Sequence, residues 1–214
     1  MALLVSLAKG ILKRHDHVVC LAGVDGSDVI DTLIVLNLGS EPELFWPLDS
    51  SLIGGDVRPE VFERALTIAT QLAVEGREGR PVGTIFVVGD AQRVMERSHN
   101  LVLNPFHGYP EADRSILDLR LEETIKEFAA IDGAFVVRGD GVLLTAGAQL
   151  ISTTLVTTLP KGLGTRHAAG AAITVSTGAV AIVVSGSTGT VSVFKSGQMV
   201  IDIHKPSDTS RLPV

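Results

Sequence analysis

Between residues 59 and 75 apolar side chains recur at Phe62, Ala65, Leu66, Ala69, Leu72 and Ala73. That three-and-four spacing gathers them on one face of a helix, with Pro59 in its first turn and Gly76 as its stop. The next run, "VGTIFVVGD", does not alternate; it is β-branched and aromatic between glycines, which predicts a strand buried on both faces. "AQRVMERS" then predicts a short helix, and Ile116, Leu117, Leu121, Ile125 and Phe128 predict a longer one over Ser115–Ala130. From Gly133 the period changes. "AFVV", "GVLLTAG", "AAITVS", "AVAIVVS" and "TVSVFKSG" are short β-type runs, and Asp140-Gly141 between the first two marks a hairpin turn. "NPFHGYP", residues 104–110, predicts a rigid aromatic turn that covers the core. Upstream, Val18–Ala22 and Thr32–Leu36 predict two strands after an amphipathic start at Ala2–Leu12.

Helices before strands, with one mixed unit between them, imply an α/β fold. Its expected form is a mixed central β-sheet flanked by helices, with a small N-terminal α/β appendage. The appendage is expected over residues 1–52, the main domain over 53–205 and a loose polar tail over 206–214. Composition narrows the class. Hydrophobic residues make up 45% and charged residues 20%, which excludes a disordered chain. Apolar runs stay shorter than the roughly 18 residues that a membrane helix needs, and no signal-peptide pattern opens the chain, so a cytoplasmic protein is expected. The net charge of −6 and the lack of a Lys/Arg-rich run leave no footprint for nucleic acid. Any phosphate must be gripped locally. Cys20, the single cysteine, forms no internal disulfide and is expected to pack as a small buried residue.

Two stretches could carry chemistry. In "AAIDGAFVV" the helical face gives way to Asp132-Gly133-Ala134 just before a strand. An aspartate there stands at the mouth of the sheet, and Gly133 lets a ligand approach the backbone. Ordinary turn chemistry explains the same residues. In "GLGTRHAAG" the residues Gly164, Thr165, Arg166 and His167 combine flexible backbone, a hydroxyl and a fork of donors before a small-residue run, which suits an anion cradle. A helix cap facing water is the alternative. Neither the dinucleotide fingerprint nor the P-loop is present.

The segments "DGA" (132–134), "AGAQL" (146–150), "GTRHAA" (164–169) and "VVSGSTGTVSV" (183–193), spaced as they are, resemble the diadenylate cyclase family over roughly residues 55 to 205. The match is nearest to the archaeal-type branch, in which a small N-terminal α/β region precedes the cyclase domain. The resemblance implies condensation of two ATP into cyclic di-AMP by two copies of the chain facing each other, in a homodimer or a higher homo-oligomer. It implies Mg²⁺ or Mn²⁺ held at Asp132, with Gly133 and Ala134 beside the ribose. It places Gly147 to Leu150 against the adenine, and Gly164, Thr165, Arg166, His167 and Ser185 around the phosphates. Three positions depart from the family pattern: Ala168 replaces an arginine, and Val175 and Gly186 replace glutamates. An inactive or weak binder of ATP or cyclic di-AMP with the same fold is therefore the alternative.

Overall fold

The computed structural model describes residues 12, 16–23, 30–38, 53, 55–77, 79–151 and 162–203. The expected start at residues 2–11, the loop over 40–52 and the tail over 206–214 lie outside the described residues. The chain divides into two compact units, residues 1–52 and 53–214. In the first, β1 (His17–Ala22) and β2 (Thr32–Asn37) pair antiparallel. Cys20 sits on β1 and is half-buried rather than buried.

Among the described residues the second unit is built on seven strands. These are β3 (Ile85–Val88), β4 (Ser98–Asn100), β5 (Ala134–Val137), β6 (Leu143–Leu150), β7 (Val180–Val184), β8 (Val191–Lys195) and β9 (Gln198–Ile203). Their order is β4-β6-β5-β3-β7-β8-β9, and the parallel pair β3–β5 inside an otherwise antiparallel ladder makes the sheet mixed. Helices among the described residues include α1 (Pro59–Glu75), α2 (Ala91–Glu96), α3 (Glu122–Phe128) and α4 (Thr165–Ser176).

Burial shows why both faces of the sheet must be covered. Phe86 and Val88 of β3 point into one core with Val61, Leu66 and Leu72 of α1 and Ile125 of α3. Their neighbours Ile85 and Val87 point into a second core with Val94 of α2 and Ala171 and Ile173 of α4. The period-two alternation of a strand therefore divides one apolar run between two helical layers. α1 forms as expected, ending where Gly76 at φ +63° donates its N–H to the Leu72 carbonyl.

Two expectations need correction. The helix expected over Ser115–Ala130 is regular only from Glu122, because Ile116 N–H is bonded to the Gly141 carbonyl and Asp118 accepts from the Arg120 N–H. Those bonds tie the segment to the β5–β6 hairpin and to a 3₁₀ turn at Leu119–Leu121. "AAITVS" is the second half of α4 and not a strand. Burial of Ala171, Ile173 and Thr174 against the sheet outweighs the modest β preference of Ile, Thr and Val. Strands β4 and β9 were not foreseen. The aromatic turn does cover the core: Phe106 is buried edge-on to Phe128, and Asn104 Nδ2 donates to the Leu144 carbonyl.

Candidate functional site

Strand direction brings the scattered candidates to one edge of the sheet. β3 and β5 are parallel while β6 and β7 run against them, so the starts of β3 and β5 and the ends of β6 and β7 share that edge. Asp132-Gly133 precedes β5, Gly147 to Leu150 ends β6, and Ser185 follows β7. Gly164 at the N-cap of α4 brings Thr165 and Arg166 to the same place, where Arg166 Nη2 is 2.9 Å from Asp132 Oδ1.

The fit around Arg166 depends on missing side chains. A Cβ on Gly83 would lie 2.8 Å from the Gly186 nitrogen and 3.1 Å from Arg166 Nη1. The backbones before β3 and after β7 thus approach closely, and the guanidinium occupies the space beside them. On the neighbouring strand pair Gly133 has φ +110°, and a Cβ there would lie 2.6 Å from the Gly147 carbonyl carbon. Gly147, at φ +72°, forms a bulge in β6: Ala134 faces Ala148 but Val136 faces Thr145, so three β6 steps answer two of β5.

A cleft of about 1120 Å³ opens beside Arg166. Its walls include Gly164, Thr165, Arg166 and His167 from α4, Ser185 to Thr188 after β7, Gly83 before β3, and Asp202 on β9. The Ser185 side chain accepts from Thr188 N–H at 3.3 Å, and its backbone N–H donates to the Thr190 carbonyl at 2.9 Å, which fixes the turn. His167 is only 5% exposed and stands edge-on to Phe194. Burial pushes its imidazole pKa below the ordinary value, against the opposing pull of the Asp202 carboxylate. Its Nε2 has no hydrogen-bond partner among the described residues.

The remaining candidates lie next to this cleft and not on its walls. The Asp132 side chain is 79% exposed and reaches the cleft only through Arg166. Ala134 is buried at the head of β5. Leu150 is half-buried, packed against the core that holds Ala148, Val94 and Ala171, and pairs with Ser98 of β4. Arg77, Arg80, Glu127 and Asp202 line the cleft and were not anticipated. They belong to a turn, a helix end and the unforeseen β9, and carry no motif; only "GRPVG" directly before the strand could have drawn attention.

An α/β sandwich with a cationic cleft at one edge of its sheet is the class these features define. The chain belongs to the family described as DAC, DisA bacterial checkpoint controller nucleotide-binding, whose model matches residues 71–199. Among curated proteins it is 37% identical over 204 residues to a diadenylate cyclase of Methanocaldococcus jannaschii, covering 92% of this chain and 63% of that one. It is 34% identical over 198 residues to a diadenylate cyclase of Haloferax volcanii, covering 92% of this chain and 71% of that protein. The chain therefore spans less than two thirds of the first relative's length. Among solved structures, one titled a hypothetical membrane spanning protein from Bacillus cereus has the same fold, at TM-score 0.53 and 18% identity over 78% of this chain and 72% of that one. No described helix of the present chain is long and apolar enough to cross a membrane.

Proposed function

We propose that this chain is a diadenylate cyclase that condenses two ATP into cyclic di-AMP and two pyrophosphates across a face-to-face dimer. The 3′-oxygen of one ATP attacks the α-phosphorus of the other, and the bond from that phosphorus to the pyrophosphate oxygen breaks. The hydroxyl proton passes to solvent, and the mirror transfer closes the ring. The observation that carries the proposal is the 2.9 Å approach of Arg166 to Asp132 beside the cleft, in a chain of the DAC family.

Each residue has a task. Arg166, whose fork of donors matches phosphate oxygens, holds the polyphosphate together with the free N–H groups at the start of α4. Thr165 and Ser185 add hydroxyls there, and buried, neutral His167 fixes the wall behind them. Gly133 and Ala134 lie along the ribose, and Gly147 to Leu150 along the adenine. Asp132 would hold Mg²⁺ or Mn²⁺, which when bound neutralises phosphate charge and lowers the pKa of the 3′-hydroxyl. The donor set fits such an ion. No group of three or more His, Cys, Asp or Glu residues is assembled among the described residues, and Mg²⁺ is commonly held by one or two carboxylates plus substrate phosphates and water.

Position 186 supports a second reading, a nucleotide binder without turnover, because the family's usual glutamate there is replaced by glycine. Val175 gives that reading no support. It lies nine residues along α4 from Arg166, about 13 Å at 1.5 Å per residue, and packs beside Gly197. Incubation with ATP and Mn²⁺ followed by chromatography separates the readings. Cyclic di-AMP is expected; bound ATP recovered intact would establish the second reading instead.

A further inference from the structure

The walls of the cleft hold a cation that the proposed function leaves unused. Arg80 is exposed, lines the same cleft as Arg166, and makes no ion pair among the described residues. Its neighbour Arg77 differs: that guanidinium is paired with Glu123 at 3.0 Å and with Glu127, one of the two acids on this wall. Arg77 and Glu127 therefore largely cancel, the Asp202 carboxylate accepts from the Ser192 hydroxyl at 2.9 Å, and Arg80 adds a positive charge without an ion-pair partner among the described residues in a chain of net charge −6.

Arg80 is also rigidly placed. Its N–H donates to the Arg77 carbonyl at 2.8 Å, and its carbonyl accepts from Arg77 N–H at 2.9 Å. The turn presses so closely on the end of α1 that a Cβ on Gly76 would lie 2.3 Å from the Arg80 carbonyl oxygen. Pro81 follows, and three residues on stands Gly83, whose missing side chain makes room for Arg166 Nη1. Three residues of chain span at most about 10 Å. Arg80 thus leaves the backbone within about 10 Å of the glycine beside which the Arg166 guanidinium lies, and two guanidiniums set so on one cleft match the length of a polyphosphate and exceed that of a monophosphate.

We infer that Arg80 is a substrate-discriminating residue: it binds the terminal phosphates of a nucleoside triphosphate whose α-phosphate end is held by Arg166. The inference rests on the proposed cyclase function and names what that site requires of its ligand. Arg80 is three residues from Gly83, which shapes the Arg166 pocket, so the two grips sit in fixed register, and a chain ending at the first phosphate reaches only one of them.

The test compares AMP, ADP and ATP by calorimetry, without metal, on the parent chain, Arg80→Gln and Arg80→Lys. Losing a charge-assisted contact costs roughly tenfold to a hundredfold when it is buried, and an exposed arginine less, so Arg80→Gln is expected to weaken ATP about 5- to 20-fold. AMP affinity should stay within about twofold, which also shows that the variant is folded. Arg80→Lys should recover part of the ATP affinity, since charge without the fork is retained. Equal weakening of AMP and ATP, or unchanged ATP affinity in Arg80→Gln, overturns the inference while leaving the cyclase proposal standing. If the parent chain prefers no phosphate length, or binds no adenine nucleotide, the inference fails; in the latter case the cyclase proposal falls too.

Discussion

At the scale of single residues, Asp132 and Arg166 neutralise each other across 2.9 Å while both remain in reach of solvent. Exposed pairs contribute about 0.2–1 kcal/mol, so the pair adds little to folding and can be opened by a ligand that offers each group a better partner. The two halves should then fail differently when removed. Asp132→Asn keeps the shape and one acceptor oxygen but loses the charge that a metal needs. Turnover is expected to fall at least a hundredfold while ATP affinity, measured without metal, changes less than about threefold. Arg166→Ala removes the proposed phosphate grip, and the ATP concentration for half-maximal rate should rise about tenfold or more. Equal turnover in Asp132→Asn and the parent would show that this carboxylate has no part in the reaction. Substitution at Gly83 acts on the same centre from behind, because any Cβ meets the Gly186 backbone before it meets the flexible end of Arg166.

At the scale of elements, α3 is a short helix held largely by charge. Lys126 is 3% exposed and donates to Glu75 and Glu122 at 3.1 Å each, and Arg64 of α1 reaches Glu122 at 2.7 Å. Burial alone would lower the Lys126 pKa, but the hydrogen bonds to Glu122 and Glu75 outweigh it and raise the value. Lys126→Met is expected to destabilise the fold by about 1–3 kcal/mol. That is below the 3–5 kcal/mol for breaking a fully buried pair, because Glu75 and Glu123 keep much of their solvation. Urea unfolding at pH 7 measures it, and an unchanged midpoint would mean that α3 is held by Ile125 and Phe128 alone. The same helix shows what the sequence makes legible. α1 and β3 could be read directly, since one strong period or one dense apolar run decides each. The stretch before Glu122 carries apolar residues at helical spacing, yet backbone bonds from Ile116 to Gly141 and a side-chain bond at Asp118 claim it. No local pattern records a partner 25 residues away. For the candidate site, motif spacing singled out Arg166 and Ser185, which line the cleft, and Asp132, which touches it only through Arg166, whereas Arg80 and Asp202 reach the cleft only through the order of strands and turns.

At the scale of the whole second unit, the proposed cyclisation asks for more than one cleft provides. Each DAC-family chain here offers one Arg166–Asp132 pair on one edge of its sheet, and ring closure takes two transfers in opposite directions. A twofold arrangement would answer both needs with one surface, since each copy would present its own nucleotide's 3′-hydroxyl to the other's α-phosphate. Mixing then becomes informative. When Asp132→Asn is added at three times the parent concentration and subunits exchange, cyclic product per parent chain should fall about fourfold, the statistical share left to parent–parent pairs. Mixed pairs still activate one hydroxyl, so they should release one pyrophosphate and accumulate the linear dinucleotide triphosphate, detectable by mass spectrometry. A rate proportional to parent chain alone, with no linear product at any ratio, would mean that one cleft completes both transfers. The open edge shared by β5, β3 and β7 would then have to accommodate two nucleotides, and Arg166 and Arg80 would have to serve both polyphosphates in turn.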